Sequence, residues 1–191
     1  MIDRMRIRGL LFAIIVALAT PAFAQSPRGD EAAKQQALSI ARDWLHANTR
    51  YKQIPEIRSW VNLSAAQMAE RARRGGLPGS QANVPAAIYS CGQSTLYLQD
   101  GVNFFDVAIL SLLVHELTHH AQCTARVSFA DLCAIEREAY VNQQRFVRGV
   151  APRLAAAGTP LSPQQVQAFE GFARSIDPLI QTVCAAARKP N

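Results

Sequence analysis

The segment that most constrains the fold is an apolar stretch in the middle of the 191-residue chain, which passes directly into a polar motif. Residues 107–114 (VAILSLLV) carry no charge, and His115-Glu116-Leu117-Thr118-His119 follows at once. Because apolar side chains lie on nearly all sides of this segment, it predicts a central helix and not a surface one. Placing a glutamate and two histidines in such a helix is costly unless a metal ion or hydrogen bonds compensate.

The spacing within this motif is that of a metal site. On a helix, His115 and His119 are about 40° apart around the axis and about 6 Å apart along it, so both imidazoles can reach one ion. Glu116 lies off that row, where its carboxylate can accept a proton from a metal-bound water. The competing interpretation is a pair of core histidines in a buried salt link. Three of the chain's four histidines fall within residues 115–120, which favours the metal site.

Two histidines leave zinc one protein ligand short of the three that catalytic sites use. The residues after His119 lack the glycine and third histidine of the metzincin pattern, which excludes that class. The remaining candidates are two carboxylates on the next predicted helix, Glu136 and Glu138. Helical periodicity favours Glu136, which shares the apolar stripe of that helix, but the residues by themselves leave both candidates open.

A family resemblance points to the other carboxylate. The HExxH motif at 115–119, followed after 18 residues by Glu-Ala-Tyr at 138–140, resembles the gluzincin branch of zinc metallopeptidases, particularly its aminopeptidases. In gluzincins a glutamate on a second helix is the third zinc ligand, so the resemblance implies Glu138, and we choose Glu138 over Glu136. In thermolysin-like relatives an aspartate four residues further on orients the first histidine. Asn142 stands at that position, and we give it this supporting role.

The same resemblance implies a function. Residues 115–122 (HELTHHAQ) are also similar to small exported bacterial zincin-like proteins of unassigned function. The implied protein binds one zinc ion per chain through His115, His119 and Glu138, and hydrolyses peptides or proteins with a zinc-activated water and Glu116 as general base. The alternative is a metal-bearing but non-catalytic binding or scaffold protein of the cell envelope, which the departure at Asn142 favours.

The first 24 residues have the three parts of a signal peptide. Arginines precede residue 9, an apolar run covers residues 10–19, and small residues stand at Ala22 and Ala24 before the expected cleavage point. That run of about ten residues is short for a bilayer span, which needs roughly 20, although an uncleaved anchor is the competing interpretation. We therefore expect a periplasmic or secreted mature protein of residues 25–191, a single domain with no membrane span after cleavage.

An exported chain meets oxidising conditions, in which its four cysteines can all pair. Four cysteines allow three connectivities, and the sequence does not select one. We favour Cys123 with Cys133, which would close the short connection between two helices, and Cys91 with Cys184. Four buried thiols are the alternative.

Turn and capping signals predict an α+β fold that is mostly helical, and the resemblance implies that it is zincin-like. The predicted hairpin of residues 86–90 and 94–99 precedes the motif helix and packs beside it. Zincins use an edge strand at this place to bind the substrate backbone, and Leu96–Gln99 occupies the position here. A glycine-rich loop at 75–84 could cover the site. The predicted helices cover residues 30–48, 64–74, 131–148 and 162–176, and the motif helix begins at Asn103. A C-terminal turn or two follows the last helix, and a strand is predicted at 54–61.

The charge distribution bears on partners. The formal net charge is +6, and the one basic cluster, Arg71, Arg73 and Arg74, has no interleaved aromatic residues. A nucleic-acid-binding surface would need a broader basic patch, so we expect no nucleic-acid partner. We expect the protein to act as a monomer.

Overall fold

A computed structural model describes residues 31–57, 59–74, 84–156, 158 and 161–187 of the chain. The predicted signal peptide, residues 1–24, and all but the last residue of the 75–84 loop lie outside the described residues. Within them the fold is α+β and mostly helical, as predicted. The elements in chain order are α1 Glu31–Asn48, β1 Ser59–Leu63, α2 Ala65–Arg74, β2 Ala87–Ser90, β3 Thr95–Gln99, α3 Val107–Thr124, α4 Leu132–Arg148, α5 Val150–Ala156, α6 Pro163–Ser175 and α7 Asp177–Ala187.

The three strands form one sheet in the order β1-β3-β2. β2 and β3 are the predicted antiparallel hairpin, and β1 pairs with the other side of β3 in parallel, with Ser59 opposite Thr95. The expectation that Leu96–Gln99 forms an edge strand is therefore wrong, because β1 covers its outer side. Parallel pairing across an intervening helix is a long-range contact that local alternation cannot reveal. The edge strand that contacts α3 is β2.

Helix α3 is the centre of the molecule, as the apolar segment predicted. All thirteen residues from Leu110 to Gln122 are buried, and the helix packs against α1, α4 and β2. Its N-cap is Asp106, whose carboxylate accepts a hydrogen bond from the Ala108 N–H at 2.7 Å. The N-cap thus lies three residues after the predicted start at Asn103. The polar motif occupies its middle, where no side of the helix faces solvent.

The end of α3 is a Schellman motif with an unusual residue. Val127 N–H donates to Gln122 O at 2.9 Å and Arg126 N–H donates to Cys123 O at 3.1 Å. This arrangement requires a left-handed residue after the C-cap, and Arg126 adopts φ +53° there. A side chain with a Cβ is strained in that conformation, which glycine adopts freely.

We therefore expect Arg126→Gly to stabilise the protein. Glycine relieves the strain of the left-handed conformation but gives the unfolded chain more entropy. The net effect should raise the free energy of unfolding by about 0.5–1 kcal/mol. Urea unfolding of the two proteins measures the difference. Arg126→Ala, which keeps the Cβ, serves as control and should show no such gain; an equal gain would mean that the arginine side chain, and not its backbone, causes the strain.

Capping signals located several other helix ends correctly. The Ser64 hydroxyl accepts from Gln67 N–H at 3.3 Å while the Gln67 side chain accepts from Ser64 N–H at 2.9 Å, and Ser162 and Gln165 form the same reciprocal box. The predicted C-terminal turn or two is the 11-residue helix α7. Pro178 is its second residue, where its missing N–H costs nothing.

The cysteines are all paired, but in a different connectivity from the one favoured above. The disulfides join Cys91 to Cys123 and Cys133 to Cys184, with Cα–Cα distances of 5.8 and 4.5 Å. The pairing of Cys123 with Cys133 and of Cys91 with Cys184 is wrong. Cys123 lies on the last turn of α3, which packs on the hairpin, and Cys133 lies on the first turn of α4, which packs on α7.

Two disulfides are typical of proteins outside the reducing cytoplasm. Among the described parts of the chain, no helix has both the length and the apolar character needed to cross a membrane.

Candidate metal centre

Three buried side chains from α3 and α4 converge on one point. His115 Nε2 and His119 Nε2 lie 3.1 Å apart, and Oε2 of Glu136 lies 3.6 Å from the first and 3.5 Å from the second. His115 and His119 come from successive turns of α3, and Glu136 comes from the first half of α4, which packs against it. These residues form the one group of three or more possible ligand side chains found in the described portion of the chain.

The spacing of these atoms fits a zinc ion. Ligands placed tetrahedrally about 2.05 Å from zinc are about 3.3 Å from one another, and the three observed separations, 3.1, 3.5 and 3.6 Å, lie around this value. Oε2 of Glu136 is buried without a hydrogen-bond partner of good geometry among the described residues. A buried carboxylate oxygen is seldom left unpaired, so its position beside two imidazole nitrogens indicates a cation site.

Glu138, which the gluzincin spacing favoured as third ligand, points away from this group. Its Oε2 accepts hydrogen bonds from the Tyr51 hydroxyl at 2.8 Å, Arg50 Nη2 at 3.1 Å and Gln122 Nε2 at 3.0 Å. The choice of Glu138 is therefore corrected to Glu136. Residues two apart on a helix are about 200° apart around the axis, so only one of the two can face α3.

Each histidine of the group has a glutamine beside it. Oε1 of Gln122 lies 2.9 Å from His119 Nδ1. Interaction with Gln143 acts to raise the pKa of His115, while Nδ1 of His115 and Oε1 of Gln143 are both buried without a hydrogen-bond partner of good geometry in the described chain. Gln143 Nε2 in turn donates to Ser111 Oγ at 3.2 Å. Groups that hold the outer nitrogen of a ligating imidazole fix its tautomer and orientation.

Asn142 does not orient the first histidine. Its Nδ2 lies 3.4 Å from Thr118 Oγ1, and the Thr118 hydroxyl donates to Val114 O at 2.8 Å. Asn142 therefore links α4 to α3 beside the motif. The aromatic ring that contacts His115 is that of Tyr140, at a centroid distance of 4.5 Å. Burial raises the pKa of Tyr140, so its hydroxyl stays protonated.

Glu116 lies on the side of α3 that faces β2. Its Oε2 accepts a hydrogen bond from the Tyr89 N–H at 2.6 Å. Burial raises the pKa of Glu116 to about 8, although the charge of His119 and the Tyr89 N–H act in the opposite direction. A cation at the neighbouring group would favour the carboxylate form and lower this value. Glu116 thus stands beside the ligand group without belonging to it, as the motif predicted.

The charge of the ligand group is set by Glu136. Burial raises the pKa of Glu136, but attraction to His119 and interactions with both imidazoles outweigh this and bring the pKa to about 2. For His119, burial lowers the pKa, and Glu136 more than reverses the effect and raises it to about 9. Burial is the largest influence on His115 and lowers its pKa. Glu136 therefore keeps a negative charge among the ligand atoms, which the proton of His119 balances, and a metal cation would displace that proton.

His120 has a structural position next to the group. Its Nε2 donates to Pro55 O at 3.0 Å, so its Nδ1 accepts from the Tyr89 hydroxyl at 2.8 Å. This side chain connects the segment before β1 with α3 and β2. It is buried, and it is not among the metal-facing residues.

A comparison with known families now places the chain. Residues 30–155 match the model of a domain of unknown function, DUF6647. The chain belongs to this family. The DUF6647 match includes α1 to α4, the whole ligand group and Glu116, and it ends before α6 and α7, so that Cys184 lies beyond it. No curated protein and no solved structure shows a significant match to the chain.

The sequence analysis did not find four residues that surround the ligand side chains of this DUF6647 site: Arg50, Tyr51, Gln122 and Gln143. Gln122 and Gln143 carry no motif of their own. Their burial could have indicated a role, because both are uncharged amides on the predicted buried faces of their helices, where an amide needs a hydrogen-bond partner. Tyr51 and Arg50 gave no signal, since they reach the site only through the fold.

Proposed function

We propose that this protein is an exported zinc-dependent hydrolase, most closely a metallopeptidase. The observation that carries the proposal is the convergence of His115, His119 and Glu136 on one point with Glu116 beside them. Three protein ligands of this type leave a fourth position open, which distinguishes catalytic zinc sites from structural sites with four protein ligands. A free carboxylate next to the ligands has a use in hydrolysis and none in a purely structural site.

The residues divide the chemistry between them. His115, His119 and Glu136 would hold the zinc ion, which would supply a Lewis acid for the scissile carbonyl and lower the pKa of a bound water towards 7. Glu116 takes the proton of the attacking water and later passes it to the leaving amine. The Tyr89 N–H holds one oxygen of Glu116 and thereby orients the carboxylate.

The proposed location is the periplasm or the outside of the cell. The two disulfides and the amino-terminal pattern of residues 1–24 support this proposal. It is consistent with a peptide or protein substrate encountered in the cell envelope.

Glu116→Gln tests the hydrolase proposal. The variant keeps the shape of the side chain but cannot accept the proton, so hydrolysis should fall by about 10²–10⁴-fold while one zinc per chain is retained. Cleavage of a mixed peptide library by the zinc-loaded mature protein, followed by mass spectrometry, measures activity, and metal analysis measures occupancy. Glu56→Gln, which removes a solvent-exposed carboxylate paired with Arg42, is the control and should cleave normally.

A second candidate function is a metal-bearing binding or scaffold protein. Deep burial favours it, since His115 is 0%, Glu116 2% and Glu136 3% exposed, and His119, at 9%, is the most exposed of the four. The same experiment separates the two. A zinc-loaded wild-type protein that cleaves nothing, or a Glu116→Gln variant as active as wild type, contradicts the hydrolase proposal.

A further inference from the structure

We propose that Glu138 is a positioning residue for the metal centre, acting on His119 through Gln122. The relay starts at Arg50 and Tyr51, just after α1, and ends at the metal-facing imidazole. This inference rests on the metal centre of the proposed function, but it does not depend on hydrolysis.

The first step is the orientation of the Gln122 amide. Its Nε2 donates to Ile135 O at 3.0 Å and to Glu138 Oε2 at 3.0 Å, and both of these oxygens can only accept. The nitrogen side of the amide is therefore committed to α4, and Oε1 is left for His119 Nδ1 at 2.9 Å.

The second step is the state of His119. An amide oxygen can only accept, so Nδ1 of His119 carries a proton in this pair. Nε2 is then the nitrogen whose lone pair can bind a metal, and it is the atom that lies 3.5 Å from Glu136 Oε2. A reversed Gln122 amide would present N–H groups to Nδ1, which would place the proton on Nε2 and block the ligand atom.

The third step is what holds Glu138. The Tyr51 hydroxyl donates to its Oε2 at 2.8 Å and Arg50 Nη2 at 3.1 Å, while Arg50 Nη2 also donates to the Tyr51 oxygen at 3.1 Å. With these donors in place, the carboxylate offers a fixed acceptor to Gln122. Glu138 itself is 27% exposed, so its role is to set a hydrogen-bond direction and not to neutralise a buried charge.

A double-mutant cycle on zinc affinity tests this relay. Zinc dissociation constants of the mature protein are measured by competition with a chromophoric chelator for wild type, Gln122→Leu, Glu138→Leu and the double variant. Loss of an outer partner of a ligating histidine weakens binding by about 10–100-fold, which we expect for Gln122→Leu, with about 10-fold for Glu138→Leu. The double variant should bind as Gln122→Leu does, because Glu138 acts only through Gln122.

Two further variants separate positioning from a general effect on folding. Glu138→Gln keeps an acceptor oxygen for Gln122 and should restore affinity to within about three-fold of wild type. Glu70→Leu removes a comparable carboxylate, 36% exposed, helical and paired with arginine but remote from the site, and should leave zinc affinity unchanged. The Tm of each metal-free variant reports stability independently, and Glu138→Gln, which keeps an acceptor for Tyr51 and Gln122, should match wild type in this measure.

Several results would overturn the relay. Two results would show that Glu138 does not act through Gln122. One is unchanged zinc affinity in Glu138→Leu, and the other is an equal loss of zinc affinity when Glu138→Leu is introduced into wild type and into Gln122→Leu. A loss of zinc affinity beyond about 1,000-fold would make Glu138 a ligand, and a wild-type protein that binds no zinc would contradict the metal centre as well.

The relay and the hydrolase proposal can fail separately. The expected zinc affinities without any peptide cleavage would uphold the relay and contradict only the hydrolase proposal. Peptide cleavage by the wild type, together with unchanged zinc affinity in Glu138→Leu, would support the hydrolase proposal and contradict the relay.

Discussion

Replacing Glu136 with Gln is expected to empty the metal centre. The substitution keeps the volume of the side chain but replaces the one negatively charged oxygen that faces the two imidazoles, at 3.5 and 3.6 Å, with a neutral amide. Removing one partner from a buried charged pair costs about 3–5 kcal/mol, which corresponds to roughly 10²–10³-fold or more in zinc affinity. Hydrolysis, where it depends on the metal, should be lost together with the ion.

Metal analysis and chelator competition on the mature protein measure this effect. The matched control is Glu138→Gln, two residues along the same helix, which should retain its zinc. Should Glu138→Gln lose the ion and Glu136→Gln keep it, the gluzincin spacing would be the better guide to the ligands. Circular dichroism of the metal-free proteins checks that both variants fold.

Reduction of the two disulfides is expected to bring the protein close to unfolding. They close loops with sequence separations of 32 and 51 residues, and the chain-entropy model gives about 4 kcal/mol for each. Together they are comparable with the entire stability of an ordinary domain, about 5–15 kcal/mol. Removing one pair should lower the Tm by about 8–16 °C.

The two pairs can be removed separately. Cys91→Ser with Cys123→Ser removes the covalent link between the hairpin and the end of α3. Cys133→Ser with Cys184→Ser removes the link between α4 and α7. Thermal unfolding with and without reductant measures each contribution, and a variant without cysteines should not respond to the reductant. Peptide mapping under non-reducing conditions that joined Cys123 to Cys133 would contradict this connectivity.

Local signals in the sequence were sufficient for the helix that carries the site. An uncharged run followed by His115 and His119 predicted a buried central helix with two possible metal ligands on one face. The structure has a buried helix with both imidazoles facing Glu136. Local signals also placed the starts of two helices at about residues 131 and 162, where Asp131 and Ser162 are the N-caps. Each of these features depends on residues a few positions apart, for which the geometry of a helix is known in advance.

The third ligand shows where two kinds of argument differ. The buried face of α4 includes Ile135, Glu136, Ala139, Tyr140 and Gln143, so helical periodicity had already placed Glu136 on the side that faces α3. The residue count taken from the gluzincins instead pointed to Glu138, two positions later. A count between motifs assumes the same turn length between the helices, whereas a periodic stripe depends only on the helix itself.

The remaining features depend on contacts between distant parts of the chain. The parallel pairing of β1 with β3, both disulfides and the bonds from Tyr51 to Glu138 join residues that are 32 or more positions apart. Nothing near Tyr51 in the sequence indicates a carboxylate 87 residues away. Such partners are decided by how the helices pack, which the pattern of apolar residues restricts but does not determine.

The order of the cysteine pairs along the chain has a consequence for biogenesis. The first cysteine joins the second and the third joins the fourth, so the two closed loops neither overlap nor enclose one another. A chain that is oxidised as it emerges from a translocation pore, amino terminus first, would bring each cysteine to its correct partner next. An oxidase acting in that order produces the native bonds directly, and the chain needs no disulfide isomerase to reshuffle them.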